Sequence, residues 1–184
     1  MLGSGFEKDS QIPWAGETIF AKNEPSIDRI TGVYEKAIGF LEATGGPKCA
    51  WLVRAKLRVR KQNLSVLDKG VHARALRGKI GELLVRLYPQ KAAAIGESAT
   101  RDLAEVAIER ARARGAKTGR AALIQGIHMF LLGSAFDRDP CYPWAEATLA
   151  NASSGPIEQR YDVMHELSLD YLNRSFEFSR SGGQ

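Results

Sequence analysis

The sequence predicts an all-α protein, a compact bundle of about six helices that carries a duplicated loop-helix motif. Three observations lead there. Apolar residues recur at steps of three and four over most of the chain. One stretch, residues 121–132, is apolar nearly all round and reads as a central, buried helix. Finally, Leu2-Gly3-Ser4-Gly5-Phe6-Glu7-Lys8-Asp9 with Pro13-Trp14-Ala15 returns as Leu132-Gly133-Ser134-Ala135-Phe136-Asp137-Arg138-Asp139 with Pro143-Trp144-Ala145. The offset is 130 without a gap, and 9 of the 18 positions in 2–19 are identical in 132–149, which points to an internal duplication.

Residues 1–25 are rich in Gly, Ser, Pro and polar residues and read as irregular. Ser26 suits the N-cap of a helix whose face is Ile27, Ile30, Val33, Tyr34, Ala37, Ile38 and Leu41, stopped by Gly45-Gly46-Pro47. Over 50–60, Val53, Ala55, Leu57 and Val59 alternate with Arg54, Lys56, Arg58 and Arg60, a pattern that fits a short extended segment or a helix equally. A helical period then runs from Leu64 to Leu87, where Gly70, Gly78 and Gly81 either weaken the helix or mark close helix approach. The next helix spans about 98–114, with Leu103, Val106, Ala107 and Ala111 inward and Gly115 as its stop. Thr118 caps the apolar helix at 119–132. After the repeated loop, Pro143 opens a short helix. The last helix has the stripe Ile157, Tyr161, Met164, Leu167, Tyr171 and Leu172, narrowed by Ser168 on its flank.

These elements divide the chain into a partial repeat (1–46), a complete helical repeat unit (47–176) and a tail (177–184) expected to be disordered. What precedes the motif in the second copy has no counterpart in the first. Its missing half comes from another chain, or the sequence starts inside a longer tandem protein, or the fragment packs as a decoration. An amphipathic helix without a core of its own needs a surface, so it is expected to dock on the complete unit or on a second copy.

At 184 residues, 44% hydrophobic and 26% charged, the chain has room for one well-buried core plus a fragment. No apolar run approaches a membrane span and no secretory leader opens the chain, so cytoplasmic residence is the expectation. Cys49 and Cys141 sit in unlike contexts and read as free thiols. Residues 1–47 hold 4 Lys/Arg against 7 Asp/Glu, residues 48–120 hold 18 against 6, and residues 121–184 hold 4 against 8. A basic middle between acidic flanks implies internal pairing or an acidic partner.

Asp137 and Asp139, two residues apart, invite a metal or catalytic reading. A hard cation would need several more oxygen ligands at set spacing, and these are absent. The better reading is an Asx-type turn anchored by Phe136 and Trp144, with Phe6, Asp9 and Trp14 as the same anchors in the first copy. His72, His128 and His165 have no metal-ligand spacing, and His128 reads as a hydrogen-bonded core residue. Nucleophile, Walker and Rossmann motifs are lacking, so neither enzyme activity, catalytic residues, metal nor cofactor is expected. The basic segment raises nucleic acid as a ligand, but Trp51 and Tyr88 are the only aromatic residues there for base stacking, which disfavours it.

The most specific block is His128-Met129-Phe130-Leu131-Leu132-Gly133 with Phe136-Asp137-Arg138-Asp139-Pro140 and Pro143-Trp144-Ala145. Weaker matches are Leu57-Arg58-Val59-Arg60-Lys61-Gln62-Asn63-Leu64 and Leu87-Tyr88-Pro89 with Ile95-Gly96-Glu97. Over about half the chain these resemble small helical proteins of proteobacteria encoded in type VI secretion effector cassettes, beside spike-tip proteins and effector chaperones. The resemblance implies a cytoplasmic, non-enzymatic accessory or adaptor that binds a secreted effector or spike-associated protein. It offers no catalytic residues, and the extra motif at the start departs from it. The alternatives are an immunity protein neutralising a cognate toxin and a nucleic-acid-binding helical protein. Arg54, Arg58, Arg74 and Arg77 are the expected partner-binding residues, and the partial repeat is the expected route to a homo-oligomer.

Overall fold

The apolar helix α6 (Gly119–Leu132) is the axis of the fold, and every residue from Ala121 to Leu132 is buried, Gln125 and His128 included. The hydroxyl of Thr118 accepts from the Ala121 amide at 3.3 Å and so caps it. At the other end Gly133 takes φ 111°, and its amide reaches the Met129 carbonyl at 3.1 Å. A computed structural model describes residues 6–68 and 73–181. The protein is all-α: eight α-helices with intervening 3-10 turns, and no strand among the described residues.

Around α6 lie α4 (Ala73–Leu87), α5 (Pro89–Ala113) and α8 (Ile157–Ser181). Leu76, Ile80, Leu84 and Leu87 of α4 and Leu103, Ala107 and Ala111 of α5 bury the stripes that their spacing predicts. α5 begins nine residues before the helix expected near 98. Gly96, at φ 86° and ψ 165°, interrupts it, so the periodic stretch is its second half. In α8, Ser168 is not a flank residue. It is fully buried, with its hydroxyl donating to the Met164 carbonyl at 2.8 Å. The helix also runs on to Ser181, into the segment expected to lack structure.

Eight helices stand where about six were expected, the additions being α1 (Pro13–Ile19) and α3 (Ala50–Lys61). The ambiguous stretch at 50–60 is helical because Ala55 and Val59, four apart, turn inward together, and it packs on α4 and α8. The helix expected from Leu64 is broken. Leu64–Leu67 form a 3-10 turn opened by the Asn63 side chain, which accepts from the Ser65 amide at 3.0 Å; Lys69, Gly70, Val71 and His72 lie outside the described residues.

The first 25 residues are less irregular than composition suggests: a 3-10 turn at Phe6–Lys8 precedes α1. α2 (Ser26–Gly45) starts with Ser26 already inside the helix and Pro25 at the cap position. It packs on α1 and α5, so the fragment docks on the complete unit. Between α2 and α3 the chain turns through Gly46 (φ 68°), Lys48 (φ 50°) and Cys49 (φ 58°). Glycine is required at 46, where a Cβ would lie 2.7 Å from Cε2 of Trp51. The second copy follows the same order: a 3-10 turn at Phe136–Arg138, then α7 (Pro143–Ala150) and α8.

Candidate functional site

The repeated loop is built twice by the same bonds. Asp9 Oδ1 accepts from the Gln11 amide at 2.9 Å, and Asp139 Oδ1 accepts from the Cys141 amide at 2.9 Å. The Ile12 and Tyr142 amides donate to the Asp9 and Asp139 carbonyls at 3.0 and 2.8 Å. The Thr18 and Thr148 hydroxyls donate to the Trp14 and Trp144 carbonyls, both at 2.7 Å. An aspartate that accepts from the backbone two residues on is the Asx turn expected from sequence. Phe136 is buried, Trp144 stands against Tyr142 and Tyr171, and Trp14 lies 6.4 Å from Phe40. The Phe6 side chain lies outside the described residues.

Asp137 has no solvent contact and binds Arg110 at 3.0 Å and Arg114 at 3.2 Å, while Arg114 also holds Glu146 at 2.7 Å. Burial opposes the charge on Arg114, but the Glu146 and Asp137 carboxylates outweigh it and hold the guanidinium above its ordinary pKa. Two cations thus occupy the carboxylate that a metal would need. Arg110 donates to the Ser134 carbonyl as well, tying α5 to the loop.

The first copy is seated on the last turn of α6, where helix carbonyls need partners from outside the helix. Gln11 Nε2 donates to the Met129 carbonyl and to Ser134 Oγ, each at 2.9 Å. Asp9 accepts from the Ser134 amide at 2.8 Å and from its hydroxyl at 2.5 Å. The buried Lys91 donates to the Phe130 carbonyl at 2.6 Å, with the Phe130 and Phe40 rings 5.4 and 6.0 Å away. Burial pushes its ammonium down to about 8, against the pull of the Asp9 carboxylate. Sequence reasoning missed Gln11 and Lys91. The one available signal was that Gln11 replaces the Cys141 of the other copy.

His128 is the expected core histidine, and its partner is His165, Nε2 to Nδ1 at 3.0 Å. Burial lowers both imidazoles, His165 to about 4, so the pair is neutral with one proton between the rings.

Of the four basic residues expected to meet a partner, Arg54 and Arg58 lie on α3 and Arg77 lies on α4. Arg77 is bound across α4 and α5 to Glu105 at 2.9 Å and Asp102 at 3.6 Å. Arg58 donates to the Leu87 carbonyl at 3.2 Å, at the C-terminal end of α4. The Arg74 side chain lies outside the described residues, and Arg54 is exposed. Arg120 binds Asp162 at 2.7 Å, so with Arg110 and Arg114 the basic middle pairs at several points with the acidic segment that follows it. The face that does form runs along α3, where Arg54, Arg58 and Lys61 are exposed around Leu57, itself 46% exposed. Positions 54, 57, 58 and 61 share one side of a helix.

A second surface lies on α2, where Ile27, Ile30, Tyr34, Ile38 and Leu41 of the expected face are exposed and Val33 and Ala37 are half-buried. Sequence periodicity marked these as a covered face, and the docked fragment leaves the first five open. Among the described residues, no helix is long and apolar enough to cross a membrane. Set against protein-family models, curated proteins and solved structures, the chain matches none.

Proposed function

We propose that this chain is a protein-binding accessory of a type VI secretion effector module, and that the α3 ridge holds an acidic face of a secreted effector or spike-associated protein. The observation that carries the reading is the ridge itself: Arg54, Arg58 and Lys61 around the exposed Leu57. An apolar centre with arginine beside it is the composition of a binding hot spot, and a single sign of charge steers an oppositely charged partner. The resemblance of the block from His128 to Ala145 supports the setting. Nucleic acid fits the ridge less well. Tyr88 is buried with its hydroxyl on the Thr44 carbonyl, and the Trp51 ring lies against Gly46, so neither is placed to stack on a base.

The test is capture of partners by the tagged chain from its native host. A variant carrying Arg54→Glu and Lys61→Glu leaves the Arg58 bond to α4 in place. The unmodified chain is expected to recover an effector or spike component, and the variant to lose it with unchanged helicity. Equal recovery by the variant, or recovery only of nucleic acid that nuclease removes, overturns the reading. Co-expression with a captured toxin then separates the two roles. An immunity protein rescues growth, whereas an adaptor is needed for export alone.

A further inference from the structure

We propose that a second copy of this chain covers the open face of α2, the two α2 helices pairing antiparallel about a two-fold axis at Tyr34. The large apolar residues of that face are Ile27, Ile30, Tyr34, Ile38 and Leu41, at 67, 65, 66, 39 and 40% exposure. Counted from Tyr34 they fall seven before, four before, four after and seven after. The spacing reads the same in both directions. A two-fold axis at residue 34 therefore sets Ile27 on Leu41 and Ile30 on Ile38, with Tyr34 meeting its own counterpart. Such self-match is what a symmetric dimer interface requires, whereas an unrelated partner requires no palindrome.

This face is distinct from the one that holds α2 to the body. Phe40 faces Trp14 and Lys91, the Thr44 carbonyl takes the Tyr88 hydroxyl, and Lys36 reaches the Thr18 hydroxyl at 2.8 Å. The other copy shows the same register in its covered state. At the offset of 130, Ile27, Tyr34 and Ile38 correspond to the buried Ile157, Met164 and Ser168 of α8, and Ile30 and Leu41 to the half-buried Arg160 and Tyr171. The five open side chains present roughly 500 Å² per copy, so pairing through them buries at most about 1,000 Å², the lower bound for a specific interface.

Asp28, Glu35 and Glu42 border one side of the stripe and are exposed. The two-fold axis brings these like charges to the same side, so added salt strengthens the pairing by screening them. Binding of an acidic partner to the α3 ridge has the opposite salt dependence, which keeps the two proposals separable.

The experiment uses the full chain with Cys49→Ser and Cys141→Ser, so that only introduced thiols react. Tyr34→Cys places one thiol from each copy at the axis, and a short thiol-specific crosslinker is expected to convert most of the material to dimer. Ile27→Cys places its two thiols about 21 Å apart, fourteen residues at the helical rise, beyond that reach. Alone it stays uncrosslinked; mixed with Leu41→Cys it crosslinks. Sedimentation of the unmodified chain is expected to give the dimer mass. Ile30→Glu with Ile38→Glu, both at exposed positions, is expected to give the monomer with unchanged helicity. A monomeric mass for the unmodified chain overturns the proposal. So does a Tyr34→Cys chain that fails to crosslink, or an Ile27→Cys chain that crosslinks with itself.

Discussion

At Asp137 a carboxylate without solvent contact accepts from Arg110 at 3.0 Å and Arg114 at 3.2 Å. Removing it leaves two cations facing each other with one tie each lost. The guanidinium groups keep 22 and 21% exposure, so Asp137→Ala is expected to cost about 3 kcal/mol, the low end for a broken buried pair, read by urea denaturation. The motif around it was legible as a turn because Asp139, Pro140, Phe136 and Trp144 act locally. The partners of Asp137 were not legible, since Arg110 lies on α5 and Arg114 just past its end, more than twenty positions away. Glycines divide the same way. Sequence singled out Gly78 and Gly81 as weak points or close approaches, yet a Cβ at either meets nothing within 4 Å. Close approaches lie elsewhere: at Gly46 against Trp51, at Gly16, where a Cβ would run into the Glu7 carbonyl, and at Gly119, where it would lie 2.8 Å from the Leu67 carbonyl and from Leu76 Cδ1. Gly78→Ala is therefore expected to stabilise by up to about 1 kcal/mol and Gly119→Ala to destabilise by about 1–3 kcal/mol in the same assay.

Among the elements, α2 was readable as amphipathic, and its period was right. Which part of its apolar arc is covered depends on α1 and α5, and no periodicity specifies a neighbour. Lys91 is a comparable case. A lysine near the start of α5 looks like a solvated charge, and only the fold shows it capping α6 beneath Phe40. Its ammonium titrates near 8 when folded, against 10.5 for an exposed lysine. Between those values the unfolded chain binds more protons, so stability rises with pH across roughly pH 8 to 10.5. Denaturation midpoints across this window are expected to rise in the unmodified chain, and Lys91→Met is expected to remove that share of the slope. An unchanged slope in the variant would show that the amine keeps its ordinary pKa.

For the whole molecule, the central position of α6 was the most secure inference, because a helix apolar all round has no side to offer water. Internal pairing of the basic middle was legible as one of two readings of the charge pattern, and Arg110, Arg114 and Arg120 show it toward the C-terminal acidic flank. His165 as the partner of His128 was not legible, lying 37 positions away with no spacing rule to connect them. Both imidazoles are held below their ordinary 6.5, His165 at about 4. Below pH 6.5 the unfolded chain takes up protons that the native pair refuses, so this share of stability is present above 6.5 and lost as pH falls toward 4. Thermal midpoints at pH 7 and 4.5 are expected to differ markedly, and His165→Gln is expected to narrow the gap. The sealing of α6 has a consequence of another kind. Its flanks are covered by α4, α5 and α8, and its last carbonyls by Gln11 and Lys91. No partial opening can then wet its amides without dismantling the rest. Deuterium uptake across 123–132 should be the slowest in the chain, and its rate should report the free energy of complete unfolding.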